Sequence, residues 1–343
     1  MTNRRDFLRN SALLTAGGLV GSSLLNSCGT SAAAAPARKS FIGLQTYSVG
    51  SELSADVPAG LKRIYDAGYT DLELAGYRDG MQGEYTMAEY KKMADDAGLK
   101  ISGAHLSPSS RNYTKEGMAE ISEFWKKAVA DHVILGVTTM VQPSMPAVTS
   151  EDDAKLIGEI FNNAGQIAKD AGIQWGYHNH SGEFTTRIMT AADQAEADRI
   201  AAERAAYQAA VAAAQASGAE APARMSFARA PQGRTAEQLF LDNTDPALVM
   251  FELDCYWAVM GGQDPVQWLK NYPNRFKLLH VKDKWIIGNS GMMNWEMIFK
   301  TAYEIGITQW FVELENDGDD STTQFYGVEE SAKYLLSRSF VKA

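Results

Sequence analysis

Four short segments of this chain end in side chains that can bind a metal ion or carry a proton. Gln174–His180 (QWGYHNH) holds His178 and His180. Phe251–Asp254 (FELD) holds Glu252 and Asp254. Leu278–Asp283 (LLHVKD) holds His280 and Lys282, and Phe311–Glu315 (FVELE) holds Glu313 and Glu315. Successive side chains on a β-strand point to opposite faces, so each pair shares a face. In the last three segments the other face is apolar: Leu253 and Cys255, Leu279 and Val281, Val312 and Leu314. A single pair of this kind is ordinary surface. Four pairs at the ends of successive apolar strands predict one convergent site.

The chemistry of that site follows from its residue types. Of the five histidines, His105, His178, His180 and His280 fall at predicted strand ends, and His132 does not. Imidazole and carboxylate ligands together suit a divalent ion such as Mn²⁺, Zn²⁺ or Co²⁺. The expected ligands are His178, Asp254, His280 and Glu313. His180, Glu252, Lys282 and Glu315 lie two residues away on the same faces. They are expected to orient the ligands, to touch substrate or to form polar pairs in the barrel core. Glu252 lies deeper in its strand and is expected to be structural.

Strands and helices must position these groups. Strands are predicted at Phe41–Val49, Asp71–Ala75, Lys100–Leu106, Thr138–Gln142, Gln174–His180, Leu248–Tyr256, Phe276–Asp283 and Gln309–Glu315. Helical patterns separate them: Val57–Gly68, Thr86–Gly98, Lys115–Leu135, Ser150–Ala171, Thr235–Leu241, Asp264–Asn271, Asn294–Gly306 and Thr323–Leu336. Such alternation implies a parallel sheet. Eight units predict an α/β fold, a closed (β/α)₈ TIM barrel with its site at the C-terminal ends of the strands. A doubly wound open sheet is the alternative, weakened by the lack of a glycine-rich phosphate loop after the first strand. Residues 191–233 interrupt the pattern after strand five. Ala191–Ala216 is alanine-rich with interspersed charges, a helix of about 39 Å. The insertion is either an exposed excursion or part of the rim, anchored by Tyr207, Met225 and Phe227.

Residues 1–28 resemble an export signal rather than part of the fold. Arg4-Arg5-Asp6-Phe7-Leu8 precedes a short, glycine-broken apolar run, as in twin-arginine signals, and Leu25-Asn26-Ser27-Cys28 resembles a lipoprotein box. Residues 29–40 would then be a tether and 41–343 a single barrel domain. The protein is expected to be exported, to the periplasm or to a lipid anchor on Cys28, its one expected link to a membrane. The net charge of −10 disfavours binding to nucleic acid. The two cysteines, Cys28 and Cys255, make no disulfide framework.

Several motifs carry a family resemblance over roughly residues 41–336. They are Gly176-Tyr177-His178-Asn179-His180 with Glu183-Phe184, Asn243-Thr244-Asp245-Pro246, Leu253-Asp254-Cys255-Tyr256-Trp257, Leu279-His280-Val281-Lys282-Asp283 and Phe311-Val312-Glu313. The chain resembles the sugar phosphate isomerase/epimerase family, in the xylose-isomerase-like superfamily that includes D-tagatose 3-epimerase, inosose dehydratase and endonuclease IV. The resemblance implies one divalent metal held from strands five to eight, at His178, Asp254, His280 and Glu313. Two features depart from the family pattern. His178 stands where the epimerases have a glutamate that also moves protons, and Gly288–Gly291 (GNSG) replaces a glycine-acidic-glycine loop.

The implied reaction is proton abstraction beside the carbonyl of a free sugar or keto-sugar, giving isomerisation or epimerisation. The expected proton carriers are Glu313, His180, His105 and Lys282. Glu73, Trp257 and Glu315 are expected to contact the carbohydrate. Elimination of a β-leaving group, the keto-glycoside lyase or hydratase outcome, uses the same site. A non-catalytic sugar-binding lipoprotein is a third expectation. Endonuclease-like cleavage would need three metals and a basic face. A homo-oligomer is compatible with all of these.

Overall fold

The computed structural model describes residues 41–315 and 323–342; the expected signal and tether lie outside them. Eight parallel strands close into a barrel: β1 Gly43–Gln45, β2 Asp71–Leu74, β3 Lys100–His105, β4 Thr139–Gln142, β5 Gln174–His178, β6 Val249–Asp254, β7 Phe276–Lys282 and β8 Gln309–Glu313. Each strand pairs with its chain neighbours, and β1 closes onto β8 through Gly43↔Phe311 and Leu44↔Val312. Every predicted strand is present, and the open-sheet alternative falls.

The helices outside the barrel start and stop where local chemistry dictates. Thr86 and Glu89 form a capping box at the start of Met87–Ala97, and Ser150 and Asp153 do the same for Glu151–Asp170. Gly98 ends the first of these in the left-handed conformation, at φ 86°, which costs a glycine little. The main core lies between barrel and helices. There Trp125 packs edge-on to Trp175 at 5.3 Å, and Phe161 stacks on Tyr177 at 5.2 Å.

All eight strands are shorter than their sequence pattern, and in three of them a side chain accounts for the early end. β1 stops at Gln45 because its side chain accepts the Tyr47 N–H at 3.0 Å and turns the chain into the 3₁₀ helix Thr46–Val49. β6 stops at Asp254, whose carboxylate accepts the Trp257 N–H at 2.8 Å and caps the helix Cys255–Met260. β5 stops at His178, where the Asn179 side chain takes over. Its Oδ1 accepts the Asp254 N–H at 3.1 Å and its Nδ2 donates to the Asp254 carbonyl at 3.3 Å. A side-chain amide thereby extends the sheet by one rung.

The insertion is a two-stranded stem carrying a helix. Arg187–Ile188 pairs antiparallel with Arg234–Thr235, and the helix Ala191–Ser217 rises between them behind a Thr190–Asp193 capping box. Ile200 is the one buried residue of that helix. Tyr207 and Phe227 pack on each other, ring centroids 5.6 Å apart, with Arg204 over Phe227. Met225, expected as an anchor, is 55% exposed: it reaches no apolar neighbour that would bury it.

Replacing residues 191–233 by a short glycine linker should therefore leave the barrel folded. One buried isoleucine contributes roughly 1.5–3 kcal/mol, and about 1 kcal/mol shifts the melting temperature by roughly 2–4 °C in a domain approaching this size. Thermal unfolding should remain cooperative within about 10 °C of the parent. A larger loss would place substantial packing in the insertion.

Candidate functional site

The inward row of each barrel strand changes character as it climbs. On four of the strands a lower position is apolar. Val141, Met250, Leu278 and Phe311 form a small cluster of their own, with Phe41 packed against it. This plug needs backbone with no side chain opposite: a Cβ on Gly43 would sit 2.3 Å from the Phe311 ring, and one on Gly176 would sit 2.8 Å from Met250. Two residues further along the same rows come Glu252 and His280, and two further still Asp254 and Lys282. The lateral register sets Asp254 beside His280 and Lys282 beside Glu313.

The middle layer is a buried carboxylate–imidazole network. Glu252 Oε2 lies 2.7 Å from His105 Nε2, 3.1 Å from His178 Nδ1 and 3.2 Å from His280 Nε2. Glu73 Oε2 lies 2.7 Å from His280 Nε2 and accepts from Gln45 Nε2 at 3.0 Å. The rings of His105 and His280 stack, 4.7 Å apart and 9° from parallel. Glu73, Glu252, His178 and His280 are essentially inaccessible to solvent. Burial pushes the Glu252 carboxyl up, and the adjacent Glu73 adds to this against the nearby histidines. Burial drives His178 the other way, helped by His280, His105 and His180, so its imidazole is neutral.

The upper layer faces a cavity of about 390 Å³ lined by Gln45, Tyr47, His105, His178, His180, Glu313 and Glu315 among others. Glu313 Oε2 lies 2.8 Å from His280 Nδ1, and Glu313 Oε1 accepts from Lys282 Nζ at 3.0 Å. Lys282 also pairs with Glu315 at 3.0 Å and sits over the Trp257 ring at 5.5 Å. Burial works against the charge on Lys282, but Glu313, Asp254 and Glu315 outweigh it and keep the ammonium protonated. Burial likewise raises Glu313, and the close approach of His280 Nδ1 with the charges of His280 and Lys282 more than reverses this. The His180 ring stands 5.0 Å from that of His178 and 5.9 Å from that of Trp257.

Two donor sets could hold a divalent ion. His105, His178, Glu252 and His280 bring donor atoms within 4.8 Å of one another. In that set the facing atoms already pair with each other, as the distances above show. The second set uses the opposite edges of two of the same rings, His178 Nε2 and His280 Nδ1, with Asp254 and Glu313. His178 Nε2 lies 4.0 Å from Asp254 Oδ2. Asp254 Oδ2 is buried without a hydrogen-bond partner, and His280 Nδ1, although close to Glu313, has none in line. Buried polar atoms are rarely left so. Two imidazoles and two carboxylates fit a divalent ion chemically. The middle-layer carboxylates occupy the far nitrogens, as the outer partners of metal-bound histidines do.

The structure brings every sequence-nominated residue to one end of the barrel: His105, His178, His180, His280, Glu73, Asp254, Glu313, Lys282, Trp257 and Glu315. Glu252 is structural in position, yet it is also the carboxylate on which three histidines converge. Two participants went unnoticed in the sequence, and a third, Glu183, entered there only as part of a motif. Gln45 and Tyr47 line the cavity, and a polar residue closing the first apolar strand was the available signal. Glu183, fully buried, accepts the Tyr177 hydroxyl at 2.5 Å and the His180 N–H at 2.9 Å, fixing the loop that carries His180. Nothing in its sequence position marked that role.

No protein-family model matches the sequence, and no curated protein sequence does. Solved structures do. A sugar phosphate isomerase/epimerase from Parabacteroides distasonis ATCC 8503 is 52% identical, covers 90% of this chain and 100% of its own, and superposes with a TM-score of 0.75. The chain belongs to the sugar phosphate isomerase/epimerase family, and it is an enzyme. A second such protein from the same organism is 42% identical over 88% of this chain and all of its own, with a TM-score of 0.74. The D-psicose 3-epimerase of Clostridium cellulolyticum H10, solved with D-tagatose, is 14% identical over 88% of this chain and 100% of its own, TM-score 0.61. That likeness is one of fold.

Burial, with the nearby Glu313 charge and against that of Lys282, raises the Asp254 carboxyl to about 7. The metal-free folded protein therefore keeps a proton that the unfolded chain releases near pH 4. The stability this proton confers is present at low pH and declines as pH rises from about 4 to about 7, by up to roughly 4 kcal/mol. Urea unfolding of chelator-treated protein at pH 5 and pH 8 should show this decline, and Asp254→Asn should lack that part of it. Parallel pH profiles for the two proteins would refute the assignment.

Proposed function

We propose that this protein is a divalent-metal-dependent sugar isomerase or epimerase that acts on a free sugar or keto-sugar by moving a proton beside its carbonyl. The observation that supports this best is the pair of unsatisfied buried atoms, Asp254 Oδ2 and His280 Nδ1, beside His178 Nε2 and Glu313 at the cavity floor. His178, Asp254, His280 and Glu313 are the proposed ligands, and Mn²⁺, Zn²⁺ and Co²⁺ all suit them. Bound there, the ion would supply Lewis-acid polarisation of the substrate carbonyl.

The rest is done by side chains. Glu252 and Glu73 hold the imidazoles so that His178 Nε2 and His280 Nδ1 face the ligand set. Without metal, burial would lower the His280 pKa, but Glu252, Glu313 and Glu73 raise it well above the ordinary value. Metal uptake must displace that proton, so affinity rises with pH. Among the proton carriers, His180 suits the base best. Its ring lines the cavity and makes no hydrogen bond among the described residues, while Glu183 holds its backbone N–H. Lys282 is a charged donor, suited to stabilise a developing enolate oxygen or return a proton rather than take one. Glu313 is committed to Lys282 and to the ligand set. His105 is committed to Glu252 and Glu73. The C–H proton would pass to the His180 ring as the electron pair moves onto the carbonyl oxygen. Return to the other face of that carbon gives the epimer; return to the neighbouring carbon, with the hydroxyl proton passing to the former carbonyl oxygen, gives the isomer. Glu73, Trp257 and Glu315 complete the proposed substrate surround. The export reading of residues 1–28 is part of the proposal, and it places the substrate outside the cytoplasm.

Three outcomes test it. Purified protein should retain about one divalent ion per chain, and in D₂O it should exchange deuterium into a ketose substrate. Absence of both metal and exchange across a ketose panel would reject the proposal. His180→Ala should keep its metal and lose roughly 10²- to 10⁴-fold in exchange rate, whereas Glu252→Gln should weaken metal affinity by roughly 10- to 100-fold. Cell fractionation should find a processed chain in the envelope, released in soluble form by Cys28→Ala. A full-length cytoplasmic product would contradict export.

A further inference from the structure

The hollow at the barrel mouth does not end at the site. A second cavity, of about 480 Å³, lies beside it between the turn after β1 and the segment after β2. The two cavities share Tyr47, Ala75 and Gly76 as lining. Each has the size of a pocket for one small ligand, roughly 300–1,000 Å³. The larger of the two is therefore the one without the proposed ligands.

Its walls are held in place. The segment after β2 folds into a small antiparallel sheet, Tyr77–Arg78 with Met81–Gln82 and Met81–Gln82 with Tyr85–Thr86. Gly80 at φ 90° and Gly83 at φ 62° make its turns. Ala75, on the shared boundary, is pinned through both backbone groups: its N–H donates to Thr46 Oγ1 at 2.9 Å, and its carbonyl accepts from Gln82 Nε2 at 2.5 Å. Gln82 is 94% buried, lines this cavity, and keeps an unpartnered Oε1. Tyr47 stands on the boundary between the cavities with 61% of its surface exposed, and Tyr85 and Tyr90 line the far side. A pre-formed, aromatic-lined pocket with a few polar groups suits the apolar face and hydroxyl rim of a sugar ring.

Resting on the isomerase/epimerase reading, we infer that this cavity is a subsite for a second ring. The substrate class is a glycoside or disaccharide of a keto-sugar. Its reacting ring lies over His178, Asp254, His280 and Glu313, and its other ring lies between Tyr47 and Tyr85. A monosaccharide enzyme would have no use for the larger pocket.

Calorimetric binding to the Mn²⁺-loaded full chain tests this with defined probes: D-fructose against lactulose, maltulose, turanose and isomaltulose, in which a second ring is attached to the same ketose. At least one disaccharide should bind 10-fold or more tightly than fructose. Tyr85→Ala should erase that preference while leaving fructose affinity within 2-fold. Gly50→Trp provides a second variant that should fold, because a Cβ at Gly50 meets no atom within 4 Å and the residue lines only the second cavity of the two. It should exclude disaccharides and spare fructose. Four disaccharides binding no better than fructose, or variants that weaken both ligand classes alike, would overturn the subsite. Deuterium exchange is scored separately. Selective disaccharide binding without exchange would refute the isomerase reading and leave the subsite standing, and exchange without selectivity would do the reverse.

Discussion

The site depends on burying Glu252 inside the barrel. An isolated carboxylate in such surroundings is expensive, and a protein normally avoids the cost by pairing or protonating it. Here three imidazoles converge on one of its oxygens, and Glu73 stands across the layer. The pairing is reciprocal. His178 and His280 each meet a carboxylate below, which sets the ring plane and leaves the other nitrogen facing the ligand set. The middle layer is thus the foundation of the upper one.

The barrel provides this layering because parallel strands in register place inward residues at matching heights. An apolar plug closes the lower end, a carboxylate–imidazole layer sits on it, and the cavity opens above. The cost of burying charge is met by neighbours within the layer, while the outward faces of the same strands remain continuous apolar core. Removing one partner would leave the others unpaired, so the network stands or falls largely as a unit.

The rim is built by different physics. Asp254 caps the helix after β6 with one oxygen and presents the other to the site. Asn179 imitates a strand residue through its side chain, and Glu183 ties down the backbone of His180. These are short-range devices that let loops hold the geometry of the site without regular secondary structure. The same economy shapes the neighbouring cavity, where Thr46 and Gln82 fix Ala75 from two sides.

Sequence alone determined the eight-unit alternation, the barrel class and the strand-end polar pairs, because strand period and helix caps are local properties written in adjacent residues. Helices were expected to start at Thr86 and Ser150, and the structure makes both residues the N-caps of helices that begin one residue later. His178, Asp254, His280 and Glu313 could be nominated because each sits at the polar end of an apolar strand. Tertiary structure decided what pairs with what. That Glu252 gathers His105, His178 and His280 depends on barrel closure and shear, which bring together residues up to 175 positions apart in sequence. The role of Glu183 depends on a loop folding back under His180. Strand ends moved inward at Gln45, His178 and Asp254 because a side chain captured a backbone group there, a competition that strand propensity does not register. The second cavity is a gap between two loops, and a gap has no residues of its own to read.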